Sequence, residues 1–322
     1  MKAAYRRLRW AFGNDSGSTL ILFALVFVLL AGAAALAIDG GLAYAEKRRL
    51  QIAADSAALA AAAELPANPG LAVQRAVEFA GLNGGGVESQ DVIVEEGLAD
   101  DDTVRVTARS AVAFMLAPVI GIPSADLRAG AVARVGSLRS SDGIVPWGLL
   151  LPPGGYQFGN TYTLKLDVGG AHAGNFNALA LGGTGANTYT NNVVNGSADE
   201  YSVGQTITME PGNMKGPTLD GLIRRIGNDP YTRWTDLVNA DGALNGIDDD
   251  NPRIVLLPVI TPPEPGRSTV TILSFALFYV EGSPAGWDGS QVTGAFVKDI
   301  VVGKLGPFSA NPLNPKVISL VE

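Results

Sequence analysis

Apolar and polar positions follow three regimes along this chain. From Leu20 to Ile38 nineteen consecutive residues are Ala, Val, Ile, Leu, Phe or Gly. No face of that run is polar, so it does not fit an ordinary amphipathic helix. A bilayer span needs about 20 apolar residues at about 1.5 Å rise each, and residues 19–38 are therefore expected to cross a membrane as one transmembrane helix. After Asp39-Gly40-Gly41 the side chains become small. Leu42, Ala45, Arg49, Ile52, Ser56 and Leu59 recur at three- and four-residue steps in a background of alanine. This predicts an Ala-rich helix over 39–65, with a face that a neighbouring helix can approach closely. The two glycines cost about 1 kcal/mol each against alanine and mark either a break or a weak point between the stretches.

A mixed regime follows over 66–138. Pro66 and Pro69 stop the alanine helix. Leu71, Val73, Ala76, Val77, Phe79 and Ala80 predict a short amphipathic helix ending at Gly81. Val92 to Glu96 reads as a short strand. In Thr103 to Arg109, Val104 and Val106 face one way and the Thr and Arg residues the other. Phe114 to Ile120 is expected to be a buried apolar segment, and Leu127 to Val135 a returning strand. Together these make a small α+β unit that buries little core alone and is expected to pack beside the alanine helix.

The third regime, 139–322, alternates with period two. Ser140-Ser141-Asp142-Gly143 reads as a linker. Strands are predicted at Thr161–Val168, Thr206–Glu210, Arg253–Thr261, Thr269–Val280 and Gln291–Val302, with Pro258 pointing to an edge or a bulge. Thr218 is a candidate N-cap for a helix with Leu219, Leu222, Ile223 and Ile226 on one face. Gly169 to Gly196, rich in Gly, Asn, Ala and Thr, reads as a long loop of the kind that often carries function. The expected class is α+β: a single N-terminal transmembrane helix, an Ala-rich helix, a small α+β unit and a β-rich C-terminal domain.

Charge and composition narrow the chemistry. Residues 1–18 form a basic tail. Lys2, Arg6, Arg7 and Arg9 against Asp15 give residues 1–38 a net charge of +3, so the rest carries −11 within a total of −8. An acidic body argues against nucleic acid as a partner. Four Lys/Arg precede the span, and Lys47, Arg48 and Arg49 follow it. With the N-terminal amine added, the bias favours a cytoplasmic N-terminus and an extracytoplasmic body. A cleaved signal peptide is the rival, with Ala35-Leu36-Ala37 as its cleavage pattern. The length of the run, and its end only at Asp39, favour an anchor.

There is no cysteine, which removes disulfides, zinc–thiolate sites and a thiol nucleophile. The single histidine, His172, lies in a Gly/Ala stretch without a recognisable hydrolase frame. No phosphate loop and no Gly-x-Ser-x-Gly elbow is present. Asp248-Asp249-Asp250, with Asp241 and Asn245 upstream, is the best candidate for calcium, ahead of Asp100-Asp101-Asp102. An acidic turn is the plainer reading of both, since calcium wants six to eight oxygens on a shaped loop. Glu210 and Asp220 are possible paired carboxylates. The Trp and Tyr residues could form a glycan or peptide surface, or simply core.

One stretch carries a family resemblance. The apolar span followed by A-I-D-G-G-L-A-Y-A-E-K-R-R-L-Q-I-A-A-D-S-A-A-L-A-A-A resembles the N-terminal domain of TadG-like proteins of the Tad/Flp pilus assembly system. The matching residues are Asp39, Gly40, Gly41, Tyr44, Arg48, Leu50, Gln51, Ala53, Ala54, Asp55, Ala57, Ala58 and Leu59. The resemblance covers roughly 16–64. It implies a non-enzymatic, single-pass component of pilus assembly without a cofactor. Its implied partners are the membrane and other pilus-assembly or pilin-like proteins, with a possible helix-mediated oligomer. Two family features differ. Pilin-like relatives cut after a glycine carry Glu five residues on, where Gly17 is followed by Leu22. Longer relatives carry a von Willebrand factor A-like metal string, to which only Asp15-Ser16-Gly17-Ser18 comes near, with the wrong spacing. More loosely, Gly143 to Gly148, Asn175-Phe176, Gly182-Gly183, Pro211-Gly212-Asn213 and Gly216-Pro217-Thr218 resemble the C-terminal region of such proteins. The alternative function is a membrane-tethered peptide- or glycan-binding module.

Overall fold

The computed structural model describes residues 16–166, 176–227, 229, 233–236, 251–264, 268–282 and 286–321. Its first element, α1 (Ser16–Glu64), is one unbroken helix of 49 residues, about 73 Å long at 1.5 Å per residue. Asp39-Gly40-Gly41 does not break it into two helices. Long runs of Ala and Leu on both sides outweigh the two glycines. The helix ends before Pro66, where Lys316 Nζ donates to the Leu65 carbonyl at 2.9 Å. A cation there suits the partial negative charge of a helix C-terminus. Burial pushes the Lys316 pKa down.

α2 (Pro69–Leu82) begins on a proline and buries Ala72, Ala76 and Ala80, one turn apart, against α1. β1 (Val92–Glu95), β2 (Thr103–Ala113) and β3 (Ser124–Ser141) form an antiparallel meander. The α1 alanines from Ala54 to Ala62, those of α2, and Val104, Val106, Ala131 and Val135 of the sheet share one core. Small side chains on both helices let them lie close to the sheet. The loop Asn83–Gly86 rests on α1 so tightly that a Cβ on Gly85 would stand 2.4 Å from Ala53 Cβ.

β3 does not stop at the expected boundary. It runs on through Ser140 and Ser141, both buried, where a linker was predicted. Beyond it come β4 (Trp147–Leu149), β5 (Thr161–Lys165), β6 (Phe176–Ala178) and α3 (Ala186–Asn195). Next are β7 (Tyr201–Ser202), β8 (Thr206–Thr208) and α4 (Lys215–Ile226). The chain closes with β9 (Ile254–Ile260), β10 (Thr269–Val280), β11 (Gln291–Val297), β12 (Lys304–Gly306) and β13 (Lys316–Val321).

The second sheet has the order β5-β11-β10-β9-β4-β6, with β8 on the start of β10. α3 and α4 contribute Tyr189, Val193, Leu222 and Ile226 to the core it shares with Trp147, Phe176, Phe278 and Phe296. Meanwhile β13, β12 and β7 all return to β3, so the last strand completes the first sheet. Leu138 and Val317 of that sheet join Ile144, Ile207, Ile272 and Phe275 in a core between the two sheets.

Several expectations change. Phe114 to Ile120 forms the tip between β2 and β3 rather than a buried segment: from Phe114 to Val119 only Ala117 is buried, while Met115 is 72% and Val119 88% exposed. Met214, not Thr218, caps α4, and Asn213 Oδ1 accepts the Lys215 N–H at 2.9 Å. Thr218 is buried inside the helix, 2.9 Å from the Tyr189 hydroxyl. Pro258 lies in an interior strand, and the irregularity falls on its partner β10 between Ile272 and Ser274. Part of the expected 169–196 loop is folded as β6 and α3.

Candidate functional site

α1 carries every residue of the candidate motif, and its two faces treat them differently. Leu50, Ala54 and Ala58 are fully buried against the chain's own sheet and α2. Gln51, half-buried beside them, donates to the Gly130 carbonyl at 3.1 Å and to Asp55 Oδ1 at 2.8 Å. The small-residue face is thus occupied within the molecule. Gly40, Gly41, Tyr44 and Arg48 lie on the other side, exposed, with Tyr44 at 71%. Ile52 and Leu59 continue that free stripe at helical spacing. Farther toward the N-terminus, Leu20 to Leu30 and Leu36 expose their apolar side chains around the whole helix.

Asp39 joins the two parts. Its side chain is buried and accepts three backbone N–H groups from the β2–β3 tip: Met115 at 2.8 Å, Leu116 at 2.9 Å and Ala117 at 2.6 Å. A carboxylate facing successive amides at the start of a helical turn is a favourable anion arrangement; here the turn is the 3-10 segment Ala117–Ile120. The hairpin then follows α1 away from the tip. Lys47 Nζ donates to the Arg128 carbonyl, and Gln51 to Gly130. Sequence reading assigned Asp39 to the motif but missed this clasp. The available signal was the uncharged stretch Val112 to Ala125, punctuated by Pro118, Gly121 and Pro123 between two alternating strands.

The other candidates do not assemble into a site. His172, Asp241, Asn245 and Asp248 to Asp250 lie outside the described residues. Asp102 is fully buried and holds its own turn, accepting from Leu98 N, Ala99 N and Thr103 Oγ1 at 2.7–2.8 Å. Glu210 is buried and accepts the Gly185 N–H at 3.0 Å, at the start of α3. Asp220 faces solvent and pairs with Arg224 at 3.6 Å, so the two acids have separate partners. Trp147, Tyr156, Tyr189 and Tyr279 are core residues. Trp287, with Arg233, Glu281, Asp288 and Gln291, lines an open cleft of about 670 Å³, and none of residues 176–196 is among its lining.

Two arginines are held structurally. Arg253, 1% exposed, bonds Asp229 Oδ1 at 2.8 Å and the Val280 and Gly282 carbonyls. Arg225 donates to Val193, Val194, Pro252 and Ile254 carbonyls, closing the last turn of α3, and burial pushes its pKa down.

The helix geometry coincides with one comparison. Residues 17–64 match the model of the Tad family, described as Flp pilus-assembly TadE/G-like. The Tad segment is therefore α1 itself, from its first turns to its last residue. It comprises an exposed apolar stretch long enough to cross a membrane and a docked, alanine-rich continuation. No curated protein and no solved structure shows significant similarity to the chain. The Tad segment covers about a seventh of its length.

Proposed function

We propose that the chain is a non-enzymatic, single-pass membrane component of Flp-type pilus assembly, anchored by residues 19–38 with its body outside the cytoplasm. The observation that carries this reading is the coincidence of the Tad match with one helix whose N-terminal part exposes apolar side chains on all sides. A helix apolar all round is stable in lipid and not in water. The small-residue face is already filled by the chain's own sheet, so partner contacts fall to the free stripe of Gly40, Gly41, Tyr44, Arg48, Ile52 and Leu59 and to the span. A Cβ added at either glycine would meet nothing outside its own stretch of helix within 4 Å, leaving room for another helix backbone to approach.

Photo-crosslinkers placed at Tyr44 and Arg48 in cells test this. They are expected to capture pilin-like or pilus-assembly proteins, or a second copy, while the same group at buried Ala57 captures nothing. Normal surface pili after deletion of the gene, with no such adduct, would sink the reading.

A further inference from the structure

We infer that the β2–β3 tip is a second membrane contact, seated in the interface of the same bilayer that α1 crosses. The inference rests on the reading of residues 19–38 as the span. Four observations converge on it. First, the tip is apolar and uncovered: Met115, Val119 and Ile122 are exposed, and no residue from Val112 to Ala125 is charged. Second, its depth is set. The three amides of the tip close on Asp39, the first charged residue after the apolar run.

Third, the tip and the span are continuous. Ala35 is buried on the same face as Asp39, one turn nearer the N-terminus, while its neighbours from Leu20 to Ile38 are exposed. The 3-10 turn Ala117–Ile120 contacts α1. The four residues from Ala35 to Asp39 rise about 6 Å along the axis, so the covered surface reaches past the border into the apolar stretch. Fourth, the charges stand farther from the span. Lys47, Arg48 and Arg128 lie on the body side of Asp39 with the acids Glu46 and Asp126 among them, and the Lys47 bond to the Arg128 carbonyl ties the two elements. Such a layering, apolar side chains below and charged side chains of both signs above, is that of an interfacial segment facing acyl chains and headgroups. Asp39 suits this place because three amides satisfy its charge where water is scarce.

The occupant is thus lipid, continuous with the lipid around α1. A monotopic wedge beside the span would hold the long helix at a fixed depth and keep the body from swivelling about it.

The chain has no cysteine, so single cysteines report cleanly. Full-length protein carrying Val119→Cys, Met115→Cys, Leu29→Cys or Val302→Cys is labelled with an environment-sensitive fluorophore in phosphatidylcholine/phosphatidylglycerol vesicles. Lipid nitroxides near the headgroup or deep in the chain serve as quenchers. Leu29 reports the span, and Val302, 95% exposed beside β12 at the far end of β3, reports the body.

The expected result is a blue shift and loss of most fluorescence for labels at 115 and 119 with the shallow quencher. The label at 29 responds to the deep quencher, and that at 302 to neither. Quenching at 29 without quenching at 115 or 119 overturns the inference while the span stands. So does a tip label shielded from aqueous iodide yet untouched by lipid nitroxides, which would mean a protein cover. No quenching at position 29 removes the span and the wedge together.

Discussion

The two halves of α1 are one helix in two solvents. Residues 20–38 carry large apolar side chains and expose nearly all of them; residues 50–65 carry mostly alanine and bury one face completely. Both halves are apolar, so hydrophobicity alone does not separate them. Side-chain size and periodicity do. Around the first half any fluid apolar medium fits, and no particular shape is needed. On the second, Ala54, Ala57, Ala58, Ala61 and Ala62 meet a fixed surface of Val and Ala from the sheet and α2. Packing there is a matter of shape, as in any close-packed interior.

The sharpest way to break that comparison is a deletion on each side. Leu50→Ala removes the one large, fully buried side chain among the docked residues of α1 before Leu65. It is expected to lower the unfolding free energy of the body by about 2–5 kcal/mol, read by urea denaturation of the full chain in detergent micelles. Leu29→Ala, on the exposed half, is expected to leave that midpoint unchanged. Equal losses from the two would mean that the span also packs against the body.

Enlargement probes the same contrast from the other direction. Ala57→Leu adds three carbons to a site with no exposure and is expected to cost about 1–3 kcal/mol through overpacking. A leucine in place of Ala34, which is exposed in the span, is expected to be neutral for the body. A third, smaller effect lies at the loop that closes on α1. Gly85→Ala is expected to cost about 1 kcal/mol or somewhat more, because its methyl would meet Ala53 Cβ. Ala53→Gly in the same chain should recover part of the loss, and the double-mutant cycle measures the coupling.

The span and the small-residue face are legible in the sequence because each is unmixed over many turns. Strands β2 and β10 are legible for the same reason, since their alternation or length leaves little choice. What the sequence conceals is mostly long-range. Asp39 reads as a charge that ends a span; its bonds to residues 76–78 positions away depend on how the hairpin folds back. α3 is hidden because Asn-Thr-Tyr-Thr-Asn-Asn offers little apolar stripe beyond Tyr189 and Val193, and a helix so weak in propensity is held by its tertiary partners. Thr218 looks like a cap from composition alone, yet a buried tyrosine hydroxyl takes its side chain instead. Likewise β13 cannot be assigned to the first sheet from a pattern of apolar residues, which carries no information on pairing partner.

The smallest expected effect concerns the junction where the first sheet leaves α1 and meets the rest of the body. Glu200, just before β7, accepts from Lys304 Nζ at 2.8–2.9 Å and from the Ser140 hydroxyl, so it ties β3 to β12. The Lys304 ammonium and that hydroxyl hold its pKa below the ordinary glutamate value. A carboxylate with a depressed folded value contributes stability above its unfolded value, near 4.3, and loses it as the pH falls through the folded value. Below both values, wild type and Glu200→Gln should therefore have the same melting temperature with respect to this contact. At neutral pH the wild type should be the more stable by a small margin, since the pair is largely exposed and screened. Raising the salt concentration at neutral pH should narrow that margin. Added salt should leave the effect of Leu50→Ala in place, because one contact is electrostatic and wet while the other is shape-dependent and dry.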